Sequence, residues 1–165
     1  MLEIQAEPLS ARAFAAFGDV IETAEHAARW INAGSCERFD DLARIDVAAH
    51  GGRPLISIFR ALPRSLPFRI EQLERHPLSS QAFFPLDRRP FLVVVAAGDG
   101  TPQATHVRAF LSSGSQGVNY RRNTWHHELL AIGARSEFLV IDRGGPGENC
   151  ELITVDGSAL CISAV

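Results

Sequence analysis

The chain has no lysine: all 16 of its basic side chains are arginine. Catalysis through a lysine Schiff base is thereby excluded, and so is a phosphate loop that depends on its lysine. Cysteine is scarce as well. Cys36, Cys150 and Cys161 are odd in number and far apart, with no CxxC pair and no metal-knuckle spacing, so reduced thiols in a reducing compartment are expected. No apolar run approaches the roughly 20 residues that cross a bilayer; the longest, Phe91-Leu-Val-Val-Val-Ala-Ala97, has strand length. The first residues, Met1-Leu-Glu-Ile-Gln, carry an acid where an export signal carries positive charge. A cytoplasmic location with no membrane partner is the expectation. A basic stripe is missing too, since the arginines are scattered over a chain of net charge -3, so no nucleic-acid partner is expected.

What is present suits one domain over residues 1–165: 46% of the residues are apolar, enough for one continuous core. Arginine favours a bidentate grip on carboxylates, so a carboxylate substrate would suit such a chain. Strand-like runs follow one another at Leu55–Phe59, Phe68–Leu73, Gln81–Leu86, Phe91–Ala97, Leu129–Ile132 and Phe138–Asp142. Several alternate polar and apolar residues with period two, while Phe91–Ala97 reads as buried on both faces. Turn signals such as Gly98-Asp-Gly100, Ser113-Gly-Ser115 and Gly144-Gly-Pro-Gly147 separate them. Helical pattern is confined to the N-terminal quarter, where Ser10 is placed to cap a helix over Ala11–Phe17 with Phe14 and Phe17 inward and Gly18 as its stop. Thr105–Leu111 fits either a helical turn or a strand. Short strands without βαβ alternation predict an all-β sandwich or barrel with a few short helices, able to enclose a small ligand pocket.

Two polar constellations interrupt this apolar pattern. In Glu74-Arg-His76-Pro-Leu-Ser-Ser-Gln81, Glu74 and His76 share one strand face, and Gln81 opens the next strand. Paired as a hairpin, these strands would bring Glu74, His76 and Gln81 together, with Arg75 pointing the other way. In Asn119-Tyr120-Arg121-Arg122-Asn123-Thr124-Trp125-His126-His127-Glu128, adjacent histidines face opposite sides of a strand, so one at most enters a given pocket. Histidine supplies acid–base chemistry near neutral pH and also binds metals. Asn32, and Arg60 at the end of an apolar strand, are weaker candidates.

Glu74-x-His76-x4-Gln81 followed by a histidine beside Trp125 resembles the two metal-binding motifs of cupins, with Glu74 in place of the first histidine and Gln81 in place of the usual glutamate. His76 matches the motif, and His126 is the best match for the later histidine. Along nearly its whole length the chain resembles the ureidoglycolate lyase family. The stretches that carry this are Phe17-Gly-Asp-Val-Ile21, Ile31-Asn32, Leu73-Glu-Arg-His-Pro-Leu78, Gln81-Ala-Phe83, Phe91–Val95, Gln116-Gly-Val-Asn-Tyr120, Thr124-Trp-His-His127 and Asp142-Arg143. Glu128 departs from the proline expected after the histidine pair.

The resemblance implies a cupin β-roll (jelly-roll barrel), a homodimer, and cleavage of (S)-ureidoglycolate to urea and glyoxylate in allantoin and purine catabolism. It implies acid–base roles for His126, His76, Glu74 and Tyr120. Substrate contacts are implied for Arg60, Arg121, Asn32, Gln81 and His127, with Tyr120 or His127 serving the departing urea. If a metal is bound, its ligands would be His76, His126 and Glu74, and the ion a divalent one such as nickel, zinc or manganese; no organic cofactor is expected. The alternatives from the residues are a metal-dependent cupin isomerase or dioxygenase, or a non-catalytic cupin that binds a small acid.

Overall fold

The structure is a computed structural model that describes residues 2–155 and 160–164. Among the described residues it is all-β apart from one helix, Ala11–Phe14, and three short 3-10 turns. Five strands form one sheet in the order Gly18–Ile21, Gly117–Tyr120, Gln81–Pro85, Ser136–Gly144, Arg53–Ala61. A second runs Glu151–Thr154, Gln72–Arg75, Trp125–His126, Phe91–Ala96, Val107–Leu111, Glu7–Pro8, with Leu130–Ala131 also paired to Phe91–Ala96. A small third sheet holds Leu2–Gln5, Leu160–Ala164 and Phe68–Ile70, and Arg29–Ile31 pairs with Cys36–Arg38 as a separate two-stranded ribbon.

Phe91–Ala96 explains the layering, because a strand sends alternate side chains to opposite faces. Phe91, Val93 and Val95 enter one core with Phe83, Val118, Phe138 and Val140 of the five-stranded sheet. Leu92, Val94 and Ala96 enter a second core with Ile70, Leu73 and Ile162. A strand buried on both faces has no polar position, which is why this run reads as unbroken hydrophobics. The layout is the cupin-like one expected.

Four local expectations need correction, the last of them at Gly18. The N-terminal helix is shorter than Ala11–Phe17: Ser10 caps it by accepting from Ala13 N at 3.3 Å, but it closes at Phe14 in a turn that still buries Phe14 and Phe17. Phe68–Leu73 is two strands, Phe68–Ile70 and Gln72–Arg75, in different sheets, although Ile70 and Leu73 both enter the second core. Gln72–Arg75 and Gln81–Pro85 do not form a hairpin. They lie in the two larger sheets, and residues 76–80 carry the chain across from one to the other. The undecided Thr105–Leu111 segment is both things: a 3-10 turn over Ala104–His106, then the strand Val107–Leu111.

Gly18 is not the helix stop but the first residue of a strand, at φ +153°. It pairs with Tyr120, and a Cβ there would lie 1.9 Å from the Asn119 carbonyl oxygen. Gly18→Ala is therefore expected to lower stability by about 3 kcal/mol, read from the denaturant midpoint, because the clash is with backbone that cannot swing aside. An unchanged midpoint would contradict this packing.

Candidate functional site

Register decides which polar side chains enter the space between the larger sheets. His126 pairs with Val95, whose side chain faces the first core, and Glu74 pairs with His126. Residues directly opposite in a ladder share a face, so Glu74 and His126 both point inward. From the other sheet, Tyr120 pairs with Gln81 and joins the same core. The two polar constellations thus meet across the barrel.

The cluster is tight. His126 Nε2 lies 3.4 Å from Glu74 Oε1, and His76 Nε2 lies 3.9 Å from the same oxygen. The two imidazole centroids are 5.1 Å apart, and the Tyr120 ring stacks on His126 at 4.1 Å and 14°. His126 is 1% exposed. Its Nδ1–H donates to the Thr124 carbonyl at 2.9 Å, and the Nδ1–H of His76 donates to the Asn149 carbonyl at 2.7 Å. A backbone carbonyl accepts only, so Nδ1 carries a proton in both rings, and a neutral His126 has its lone pair on Nε2. His76 Nε2 is 3.0 Å from Gln81 Oε1, an oxygen that accepts. His126 Nε2 is buried with no hydrogen-bond partner.

Charge follows geometry. Glu74 is held below the ordinary carboxylic acid range, chiefly by the neighbouring His126, against the opposing effect of burial, with the charge of His76 helping. Tyr120 is pushed well above the ordinary phenol value by burial and then by the Glu74 charge, so its hydroxyl stays protonated.

Glu74, Gln81 and Phe83 form the floor of an open cleft of about 760 Å³. Arg60, Arg64 and Glu128 stand on its walls. Arg60 Nε is 2.5 Å from Glu137, and Arg64 is 3.4 Å from Glu128. Both arginines are more than half exposed, and such surface pairs are worth little, so either guanidinium is free to turn toward an anion in the cleft.

The remaining candidates lie elsewhere. His127 points to the opposite face from His126, edge-on to Phe68 at 5.4 Å, and lines a smaller cavity of about 210 Å³. Burial lowers its pKa, against the opposing effect of the Glu128 carbonyl. Asn32 is exposed, in the turn between Arg29–Ile31 and Cys36–Arg38, and does not line the cleft. Arg121 donates to the Ala15 carbonyl at 3.2 Å and borders a separate polar cavity with Asp19 and Arg44. Arg75, as expected, faces away, 4.5 Å over the Trp125 ring and paired with Glu151. Sequence reasoning missed Arg64, Asn149 and Cys150. No motif marks them; each comes to the cluster through pairing between strands distant in the chain.

The donor set fits a metal ion. Glu74, His76 and His126 each offer one ligand atom, and these atoms lie within 4.8 Å of one another. Two imidazoles anchored through Nδ1 on backbone carbonyls, with a carboxylate beside them, form a mixed nitrogen and oxygen set that suits a divalent cation. The unpartnered Nε2 of His126 is the kind of buried polar atom an ion would satisfy.

A family model described as Ureidoglycolate lyase matches residues 1–161. Among curated relatives, ureidoglycolate lyase of Burkholderia mallei (strain NCTC 10229) is 56% identical over 149 residues, covering 90% of this chain and 87% of the relative. Ureidoglycolate lyase 1 of Rhizobium meliloti (strain 1021) is 52% identical over 145 residues, 88% of this chain and 85% of the relative. Ureidoglycolate lyase of Escherichia coli O9:H4 (strain HS) is 48% identical over 162 residues, 98% of this chain and 100% of the relative.

Proposed function

Since this chain belongs to the ureidoglycolate lyase family, we propose that it is a lyase that splits (S)-ureidoglycolate into urea and glyoxylate at the Glu74–His76–His126 cluster, as a step of allantoin and purine breakdown. The observation that carries the proposal is the convergence of these three side chains beneath a cleft walled by arginines. The test is direct. Purified protein incubated with freshly made ureidoglycolate should release urea and glyoxylate in equal amounts above the spontaneous rate. Release at only the spontaneous rate refutes the assignment.

The substrate carries a hydroxyl, a ureido nitrogen and a carboxylate on one carbon. Cleavage breaks the O–H bond and turns its electron pair into the carbonyl of glyoxylate as the C–N bond breaks. The nitrogen takes up a proton to depart as neutral urea, so protons balance without water. Glu74 is the ionised group that both reaches the cleft and touches the histidines. In our reading Glu74 accepts the hydroxyl proton, with the His126 Nε2 lone pair 3.4 Å behind it to share that proton. The same proton returns to the ureido nitrogen, which sits on the same carbon. Gln81 offers an N–H to a substrate oxygen. Tyr120, kept protonated, holds the His126 ring flat by stacking and cannot act as the base.

When bound by His76, His126 and Glu74, a divalent ion such as nickel, zinc or manganese would supply Lewis acidity toward the substrate hydroxyl and carboxylate. Chelator-treated protein should take up Mn2+ in a calorimetric titration, and a His76→Ala/His126→Ala variant should not. Full activity in protein free of metal by elemental analysis would dispose of the ion.

Arg60 and Arg64 are the side chains to hold the substrate carboxylate. Loss of one charge-assisted contact is worth about 1.5–3 kcal/mol, so Arg64→Ala should raise KM tenfold or more with a smaller change in kcat. An unaltered KM would leave Arg60 as the clamp. Exposed Ile56, Ile58 and Leu62, on and just beyond the edge strand Arg53–Ala61, support a homodimer built on that strand. Three free cysteines support a reducing, cytoplasmic setting.

A further inference from the structure

We infer that the dipeptide Asn149-Cys150 is the positioning element of this centre, its Asn149 carbonyl fixing the His76 ring and its Cys150 thiol fixing the Glu74 carboxylate. The two residues lead into Glu151–Thr154, whose Leu152 pairs with Glu74 in the ladder, so they lie alongside the exit from Gln72–Arg75. The Asn149 main chain accepts from His76 Nδ1 at 2.7 Å. The Asn149 side chain secures that carbonyl in turn: Oδ1 accepts from Leu78 N at 2.7 Å, and Nδ2 donates to Ser79 Oγ at 2.8 Å. Asn149 thus spans the chain crossing that carries His76. Cys150 Sγ donates to Glu74 Oε2 at 3.8 Å, while the other oxygen, Oε1, faces the two histidines.

A carboxylate can rotate about its last bond, and a donor on one oxygen keeps the other aimed at its target. Without the thiol, Glu74 is free to turn into the cleft and away from His126. If the Asn149 side chain is lost, His76 keeps its carbonyl partner but the segment holding that partner loosens. Neither residue reaches the cleft lining, so their effect on the reaction must pass through Glu74 and His76.

This inference rests on the proposed reading of the cluster as the reacting centre, and the experiment separates the two. Urea release from ureidoglycolate is measured for the parent, His126→Ala, Asn149→Ala, Cys150→Ala and Cys150→Ser, with Mn2+ titration of each and a thermal melt as a folding check. Outer residues of this kind are typically worth about 10–100-fold. Asn149→Ala should lower kcat by about that factor and Cys150→Ala by roughly tenfold. KM should be unchanged in both, and Mn2+ uptake weaker. Cys150→Ser, which keeps a donor, should restore most of the loss. If Asn149→Ala does not fold, the Cys150 pair decides alone. If the parent takes up no Mn2+, kcat against KM decides. Should His126→Ala abolish turnover while Cys150→Ala retains parental kcat and Mn2+ affinity, the positioning inference falls and the site stands. Should His126→Ala itself retain full turnover, the site assignment fails first.

Discussion

Replacing His126 by alanine is expected to lower kcat by about 10²–10⁴-fold while KM stays within a few-fold of the parent. The asymmetry follows from where the ring sits. His126 is buried beneath Glu74, stacked on Tyr120, and does not line the cleft, so a bound substrate gains little from it directly. Its contribution comes when a proton moves onto Glu74, because its Nε2 lone pair is the nearest basic group, 3.4 Å away. Truncation also leaves a void in a packed core, so the melt should shift downward along with the rate. His126→Gln fills most of that volume without a group that titrates near neutrality. If Gln rescued kcat as well as stability, His126 would be structural only, and the proton route would have to run through His76.

Glu74→Gln is the second large effect. The amide is nearly the same size, so the cleft and the ladder pairing with His126 should survive. What disappears is the negative charge and the ability to accept a proton. An expected loss of about 10²–10⁴-fold in kcat matches that of a missing general base. Some stability should go with the charge, since a carboxyl held below its ordinary range means that the folded state favours the charge by more than burial costs it. A circular dichroism melt modestly below the parental midpoint near neutral pH, with urea release near background, is the expected combination. Glu74 and His126 act on the same proton, so the double variant should be little worse than the weaker single one. Multiplied losses would mean that the two groups act on different protons.

Much of this was legible in the residues alone. The strand-like runs at Leu55–Phe59, Gln81–Leu86, Phe91–Ala97 and Phe138–Asp142 all fall within or on observed strands. The two-faced burial of Phe91–Ala96 was written in its lack of any polar side chain. Adjacent His126 and His127 did separate to opposite faces, as period-two geometry requires. Misreadings arose where a local rule met a non-local demand. A turn after His76 looked like a hairpin turn, but each flanking strand finds better partners: Gln72–Arg75 pairs with Trp125–His126 and Glu151–Thr154, and Gln81–Pro85 with Gly117–Tyr120 and Ser136–Gly144.

By itself, then, the sequence determined the all-β class, the faces on which side chains of each strand lie, and the family, through the order and spacing of Glu74, His76, Gln81 and the Thr124-Trp-His-His127 stretch. Only the tertiary structure decided which strands are neighbours, and with that which residues meet. Glu74 facing His126, Tyr120 covering it, Arg64 on the cleft wall and Asn149-Cys150 behind the cluster all depend on pairings between distant segments. Periodicity is a property of one strand and can be read from it. Register is a property of two strands, chosen by which pairing buries the most apolar surface on both faces at once, and no single segment carries that information.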